Sequence, residues 1–167
     1  MDEGGRRIIV GVSGSLGSLA ALRFAVDQAR RTTGAMDAVL AWSPPGGESS
    51  PRSNLPPLVE VWSHQAAERL RSAFSEAFGR IPGDLDVRLH VVRGRPGRVL
   101  LGLADRASDL LVLGTGTAGP VRRMLAGSVS SYCAARCRCA LVLAPPPSMA
   151  YDLRPRWNRI IRAGVSR

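Results

Sequence analysis

The chain has 167 residues, 45% of them hydrophobic and 22% charged, with a net charge of +10 at pH 7. That is enough apolar material for one buried core, and no apolar run approaches the ~20 residues a helix needs to cross a bilayer. All 23 basic residues are Arg, so a Walker phosphate loop, a Schiff-base lysine and a lysine general base are excluded.

The N-terminus, MDEGGRRIIV, places acid before base and lacks a long apolar stretch, so it does not read as a signal peptide and a cytoplasmic location is expected. RIIVGV (7–12) is a short β-branched run ending in glycine, as in a buried parallel strand. SGSLGS follows as a loop. Leu22, Ala25, Val26 and Ala29 then recur at helical spacing, and Gly34 fits a helix stop. DAVLAW (37–42) predicts a second strand. Residues 43–57 carry too much Pro, Gly and Ser for regular structure. A long helix follows, with Val59, Trp62, Ala66, Leu70, Phe74 and Phe78 on one face and a stop at Gly79.

DVRLHVV (86–92) alternates, with Val87, Leu89 and Val91 facing one way and Arg88 and His90 the other. That predicts a half-exposed edge strand and a solvated His90. A third helix carries Val99, Leu100, Leu103 and Ala107. DLLVLG (109–114) reads as a buried strand. A glycine-rich loop leads into a helix through about Arg136, and CALVLAPPP gives the last strand, stopped by Pro145–Pro147. Strands alternating with helices predict an open five-stranded parallel α/β sheet with helices on both faces. Ligands of such sheets sit beyond the C-terminal strand ends, where strand order reverses. The candidate loops are therefore 11–17, 42–57 and 114–127.

Gly114, Gly116 and Gly119 spell G-x-G-x-x-G. A dinucleotide fingerprint belongs after the first strand, with an acid about 20 residues further on. Here it follows the fourth strand, and the next acid is Asp152, so a nicotinamide or flavin site is rejected. Residues 128–130 start a helix, whose free N–H groups attract phosphate oxygens. Ser128 and Ser130 add hydroxyls, Gly114 and Gly127 admit close backbone approach, and Arg122 and Arg123 are candidate phosphate contacts. The other reading of the same residues is a helix cap at Gly127–Ser128 and a solvated arginine face. Asp105 and Asp109 do not read as general acids, no Ser/His/Asp set has interpretable spacing, and His64 and His90 carry no motif. Cys133, Cys137 and Cys139 lack zinc-ligand spacing and read as small fillers where a helix meets a strand; no metal is expected on them.

The stretch LVLGTGTAGPVRRMLAGSVS, with the opening IIVGVSGSLGSLAALRFAVDQA and the ending CALVLAPP, resembles the universal stress protein family. Its nucleotide-binding members carry Gly, two residues, Gly, nine residues, then Gly-Ser or Gly-Thr. Gly114 matches the first glycine and Gly127–Ser128 the last pair; the middle glycine falls on Thr117, and the acid that contacts the sugar falls on Ser13. The resemblance covers a domain of 7–146 and leaves a basic C-terminal extension, 147–167. It implies a stress-response regulatory protein that binds an adenine nucleotide, ATP or AMP-like, with Mg possible beside ATP and at most weak ATP hydrolysis. The implied contacts are Ser13, Ala41, Gly114, Thr115, Thr117, Gly127, Ser128, Val129 and Ser130, with the base near Ala41 and Trp42. It also implies a homodimer through the last strand, 139–144. The alternative is a member that binds no nucleotide and acts through a protein, RNA or membrane partner.

Charge adds to that alternative. From Leu110 onward there are nine Arg and one acid, Asp152. In 151–167, Trp157, Ile160, Ile161 and Val165 fall at helical spacing opposite most of the Arg. This segment is expected either to pack on its own domain or to meet an acidic partner, nucleic acid or an anionic membrane.

Overall fold

A computed structural model describes residues 6–32, 34–115 and 128–147. Five strands, β1 (Ile8–Gly11), β2 (Met36–Trp42), β3 (Val87–Arg93), β4 (Leu110–Gly114) and β5 (Ala140–Ala144), form one sheet in the order β3-β2-β1-β4-β5. Every pairing is parallel. Strand order reverses at β1, which lies between β2 and β4, so the crevice above β1 and β4 is the place this topology offers a ligand.

Among the described residues, four helices cover the sheet: α1 (Leu16–Thr32), α2 (Pro56–Phe78), α3 (Pro96–Leu103) and α4 (Val129–Ala134). Alternation along the buried strands divides the core. Ile8 and Val10 pack with Leu22, Val26, Leu70 and Phe74 on the α1–α2 side. Ile9 packs with Val39, Leu100, Leu111, Leu113 and Cys133 on the α3–α4 side. The unbroken apolar runs of β1 and β4 thus follow from burial on both faces.

Several boundaries differ from the sequence reading. Pro56 and Pro57 open α2 instead of closing the loop; proline at the first helical positions sacrifices only N–H groups that have no partner there. Gly79 ends α2 in the left-handed conformation, φ 76°, as expected. α3 stops at Leu103, so Ala107 lies outside it, and α4 stops at Ala134, with a turn over 135–136. The Pro/Gly/Ser stretch is organised by side chains: Ser53 donates to the Glu48 carbonyl at 2.9 Å, and Arg93 binds the Glu48 carboxylate at 2.6 Å and Asn54 Oδ1 at 3.0 Å.

β3 is an edge strand, as predicted, but His90 is not simply solvated. Its Nε2 lies 2.8 Å from Oδ1 of Asp37, a buried carboxylate on β2. Asp109 is fully buried at the start of β4, where Arg7 donates to both its oxygens (3.1 and 2.8 Å) and the Arg106 N–H adds a third bond at 3.0 Å. Arg7 also reaches Asp105 at 2.7 Å. Both carboxylates therefore belong to a structural clamp between β1 and the turn before β4.

Candidate functional site

At the C-terminal ends of β1, β2 and β4 lies a cavity of about 190 Å³. Its wall is assembled from the chain's switch point: Gly11, Val12 and Ser13 from β1 and its loop, Val39 to Ala41 from β2, and Leu113 and Gly114 from β4. Helix starts close it, with Ser15 and Ser18 at α1, Pro96 and Leu100 at α3, and Val129 and Ser130 at α4. Arg69, projecting from α2, is the only charged residue on this described lining.

The serine-rich loop is ordered by its own hydroxyls. Ser15 caps α1, accepting from the Ser18 N–H at 3.2 Å. Ser18 in turn donates to the Ser15 carbonyl at 2.9 Å and accepts from the Ser13 N–H at 3.2 Å. The Ser13 and Ser15 hydroxyls are 3.1 Å apart, and Ser13 remains exposed at the cavity. Ser13 therefore presents a hydroxyl, not a carboxylate, at the cavity.

Gly114 is required for a reason the sequence did not disclose. A Cβ there would collide with the backbone of Gly17 and Ser18, and a Cβ on Gly17 would collide with the Thr115 carbonyl. The bare pair lets α1 start directly against the end of β4, which brings the Ser13–Ser18 loop onto the same cavity as β4. The Gly114 carbonyl accepts from Ser130 Oγ at 3.1 Å, tying α4 to the same point.

Ser13, Ala41, Gly114, Val129 and Ser130 are thus brought together. Thr115 and Ser128 are not on the lining. Thr115 turns to β5, its N–H and hydroxyl directed at the Ala144 carbonyl (2.8 and 3.4 Å). Ser128 is the N-cap of α4, accepting from the Ser131 N–H at 3.1 Å and donating to its hydroxyl at 3.0 Å. Trp42, next to Ala41, faces the α1–α2 core and packs on Trp62, ring centroids 6.5 Å apart. Thr117, Arg122, Arg123 and Gly127 lie outside the described residues. Sequence reasoning missed Arg69, Ser15, Ser18, Pro96 and Leu100. Ser15 stood within a loop already singled out, 11–17, and Ser18 one residue past it; Arg69 had no signal, since it occupies an ordinary exposed position on α2.

Cys133 is buried, and Cys137 and Cys139 are partly so. Among the described residues, no three or more His, Cys, Asp or Glu side chains gather as a metal site, and no helix is long and apolar enough to cross a membrane.

A model of the Universal stress protein family matches residues 5–145. Solved structures with similar folds include a universal stress protein in complex with cAMP, 24% identical, with 87% of this chain and 100% of that one covered and a TM-score of 0.55. The universal stress protein UspA from Lactobacillus plantarum is also 24% identical, with coverage of 86% and 99% and a TM-score of 0.64. An Arabidopsis thaliana universal stress protein family protein with AMP bound is 16% identical, with coverage of 86% and 94% and a TM-score of 0.55. No curated protein matches the chain in sequence.

Proposed function

Because the chain belongs to the universal stress protein family, we propose that it is a stress-response regulatory protein whose switch-point cavity binds an adenine nucleotide, ATP or AMP-like. The observation that carries this reading is the convergence of Ser13, Ala41, Gly114, Val129 and Ser130 on one cavity at the reversal of strand order. Structural neighbours in complex with cAMP, dAMP and AMP support the ligand class.

The division of labour follows from the walls. Val39, Ala41, Leu100 and Leu113 offer apolar contact to a flat base, while Ser13 and Ser15 offer hydroxyls to a sugar. The described volume, about 190 Å³, is below the ~300 Å³ at which small-ligand pockets begin. It suits a base and part of a sugar, with the phosphates directed toward Ser130; Thr117, Arg122, Arg123 and Gly127 remain proposed contacts from the sequence motif. No carboxylate is on the described lining, so Mg²⁺ accompanying ATP would be held by the phosphates and water.

A second reading rests on Ser13. Without a charged acceptor, the sugar contact is a neutral hydrogen bond, weaker than a charge-assisted one. A member that binds no nucleotide, and acts from the cytoplasm through a partner of its basic 147–167 extension, is the alternative. Calorimetry with AMP and ATP separates the two. Nucleotide binding is expected at micromolar affinity or weaker, about −8 kcal/mol or less favourable. Ser13→Asp should tighten it about tenfold, one charge-assisted bond's worth, and Gly127→Val should abolish it. Absence of binding in both the wild type and Ser13→Asp would establish the second reading.

A further inference from the structure

We propose that Cys137 and Cys139 form a covalent modification site, a dithiol that a small disulfide compound oxidises to an intramolecular disulfide just before β5. Their Sγ atoms stand 3.1 Å apart, and both residues are partly exposed. A disulfide bond measures about 2.05 Å, so the sulfurs need to close by only about 1 Å. The pair sits between the turn at 135–136 and the first residue of β5, Ala140, where the intervening backbone belongs to neither helix nor strand. Closing the bond there breaks no sheet pairing, since the β4–β5 register begins at Ala140.

The third cysteine provides the contrast. Cys133 is fully buried on α4 with its thiol toward the Gly97 carbonyl at 3.9 Å, and burial pushes it up to about 11. With no exposed surface, Cys133 is out of reach of a small disulfide. The three cysteines thus divide into one packing residue and one partly exposed pair.

The exchange balances as follows. The Cys137 sulfur, having given its proton to water, attacks one sulfur of the small disulfide; that S–S bond breaks and one thiol leaves. The Cys139 sulfur, its proton also passing to water, attacks Cys137 in the mixed disulfide and expels the second thiol. Two protein thiols are oxidised and one small disulfide is reduced to two thiols. Burial, and then the hydrogen bond with Cys137, push the Cys139 thiol up to about 11, so the second attack accelerates as pH rises above neutrality.

The sequence supplies a direct assay, because Arg136 and Arg138 flank Cys137 and trypsin separates it from Cys139. The full chain is treated with oxidised glutathione at mildly alkaline pH, then denatured, alkylated and digested. The expected result is a monomer lighter by about 2 Da, a Cys137–Arg138 dipeptide joined to the peptide that starts at Cys139, and alkylation at Cys133 alone. Dithiothreitol restores three alkylated cysteines. Cys139→Ser should instead accumulate the glutathione mixed disulfide at Cys137. Unchanged mass, a stable mixed disulfide in the wild type, a cross-link to Cys133 or a disulfide between two chains would each overturn the proposal.

Discussion

Asp109 shows how much of the fold depends on single polar contacts. Its carboxylate is fully buried and takes three hydrogen bonds, two of them from Arg7. Removing one member of such a pair leaves the other without compensation, at a cost of about 3–5 kcal/mol. Arg7 keeps 21% side-chain exposure, which relieves part of that cost. Asp109→Ala should therefore lower stability by about 3 kcal/mol in urea denaturation, whereas Asp105→Ala, at an exposed carboxylate, should change it by less than about 1 kcal/mol. Equal effects would remove Asp109 as the centre of the clamp. Cys133 gives a pH signature at the same scale. Burial raises its thiol from about 9 to about 11 in the folded state, so folding favours the protonated form. That contribution is complete below pH 9 and is lost as pH climbs through 11, because the unfolded chain ionises first. Thermal midpoints should fall across that window, and Cys133→Ala should fall less steeply; parallel slopes would show that Cys133 does not titrate there. The His90–Asp37 contact was not legible in the sequence, because it depends on the register of β2 against β3, which pairs Asp37 with Arg88 and so sets His90 diagonally across from it. Nor could the sequence show that Thr115 turns its hydroxyl to the Ala144 carbonyl on β5 and that the Ser128 hydroxyl caps α4.

Among the elements, the strands buried on both faces were the most legible. β1 and β4 are continuous apolar runs, and such runs have few other places to go in an α/β chain. The helix ends were less so: α3 and α4 are only 8 and 6 residues long, and helices that short hold through tertiary packing such as the Gly97–Tyr132 approach more than through their own sequence. The two edge strands differ in how they meet solvent. β3 carries Arg88 and Arg93, and charges on an edge discourage pairing with another chain. β5 reads ALVLA, with no charge, and Leu143 is 43% exposed. An uncharged edge of that kind invites a partner strand, and the homodimer that the family resemblance implies would place a second copy there. Leu143→Arg should convert a dimer to monomer in sedimentation velocity at micromolar concentration while leaving the far-UV circular dichroism unchanged, because the position is already exposed. A wild-type monomer, or a dimer that tolerates the arginine, would place the contact elsewhere.

At the scale of the whole molecule, charge acts on any anionic ligand before contact does. The net charge of +10 includes no lysine, and Arg69 stands on the cavity lining with no hydrogen-bond or ion-pair partner among the described residues. A positive field concentrates anions near the site, over a range of about 10 Å at 0.1 M salt. ATP carries roughly two more negative charges than AMP near neutral pH, so its binding should draw more on that field and weaken more steeply as salt rises. Thermal unfolding reads both affinities at once. A ligand at 100 times its Kd adds about 2.7 kcal/mol, and a chain of this size gains roughly 2–4 °C per kcal/mol; the midpoint should therefore rise by roughly 5–10 °C with either nucleotide at low salt. Raising salt from 50 to 500 mM should erode the ATP shift more than the AMP shift, and Arg69→Ala should bring the two salt dependences closer. Equal erosion in the wild type would mean that the outer phosphates lie outside the positive field, and that base and sugar carry the recognition. No shift with either nucleotide, while Ser13→Asp responds to both, would show that the missing carboxylate alone keeps this cavity from holding a nucleotide.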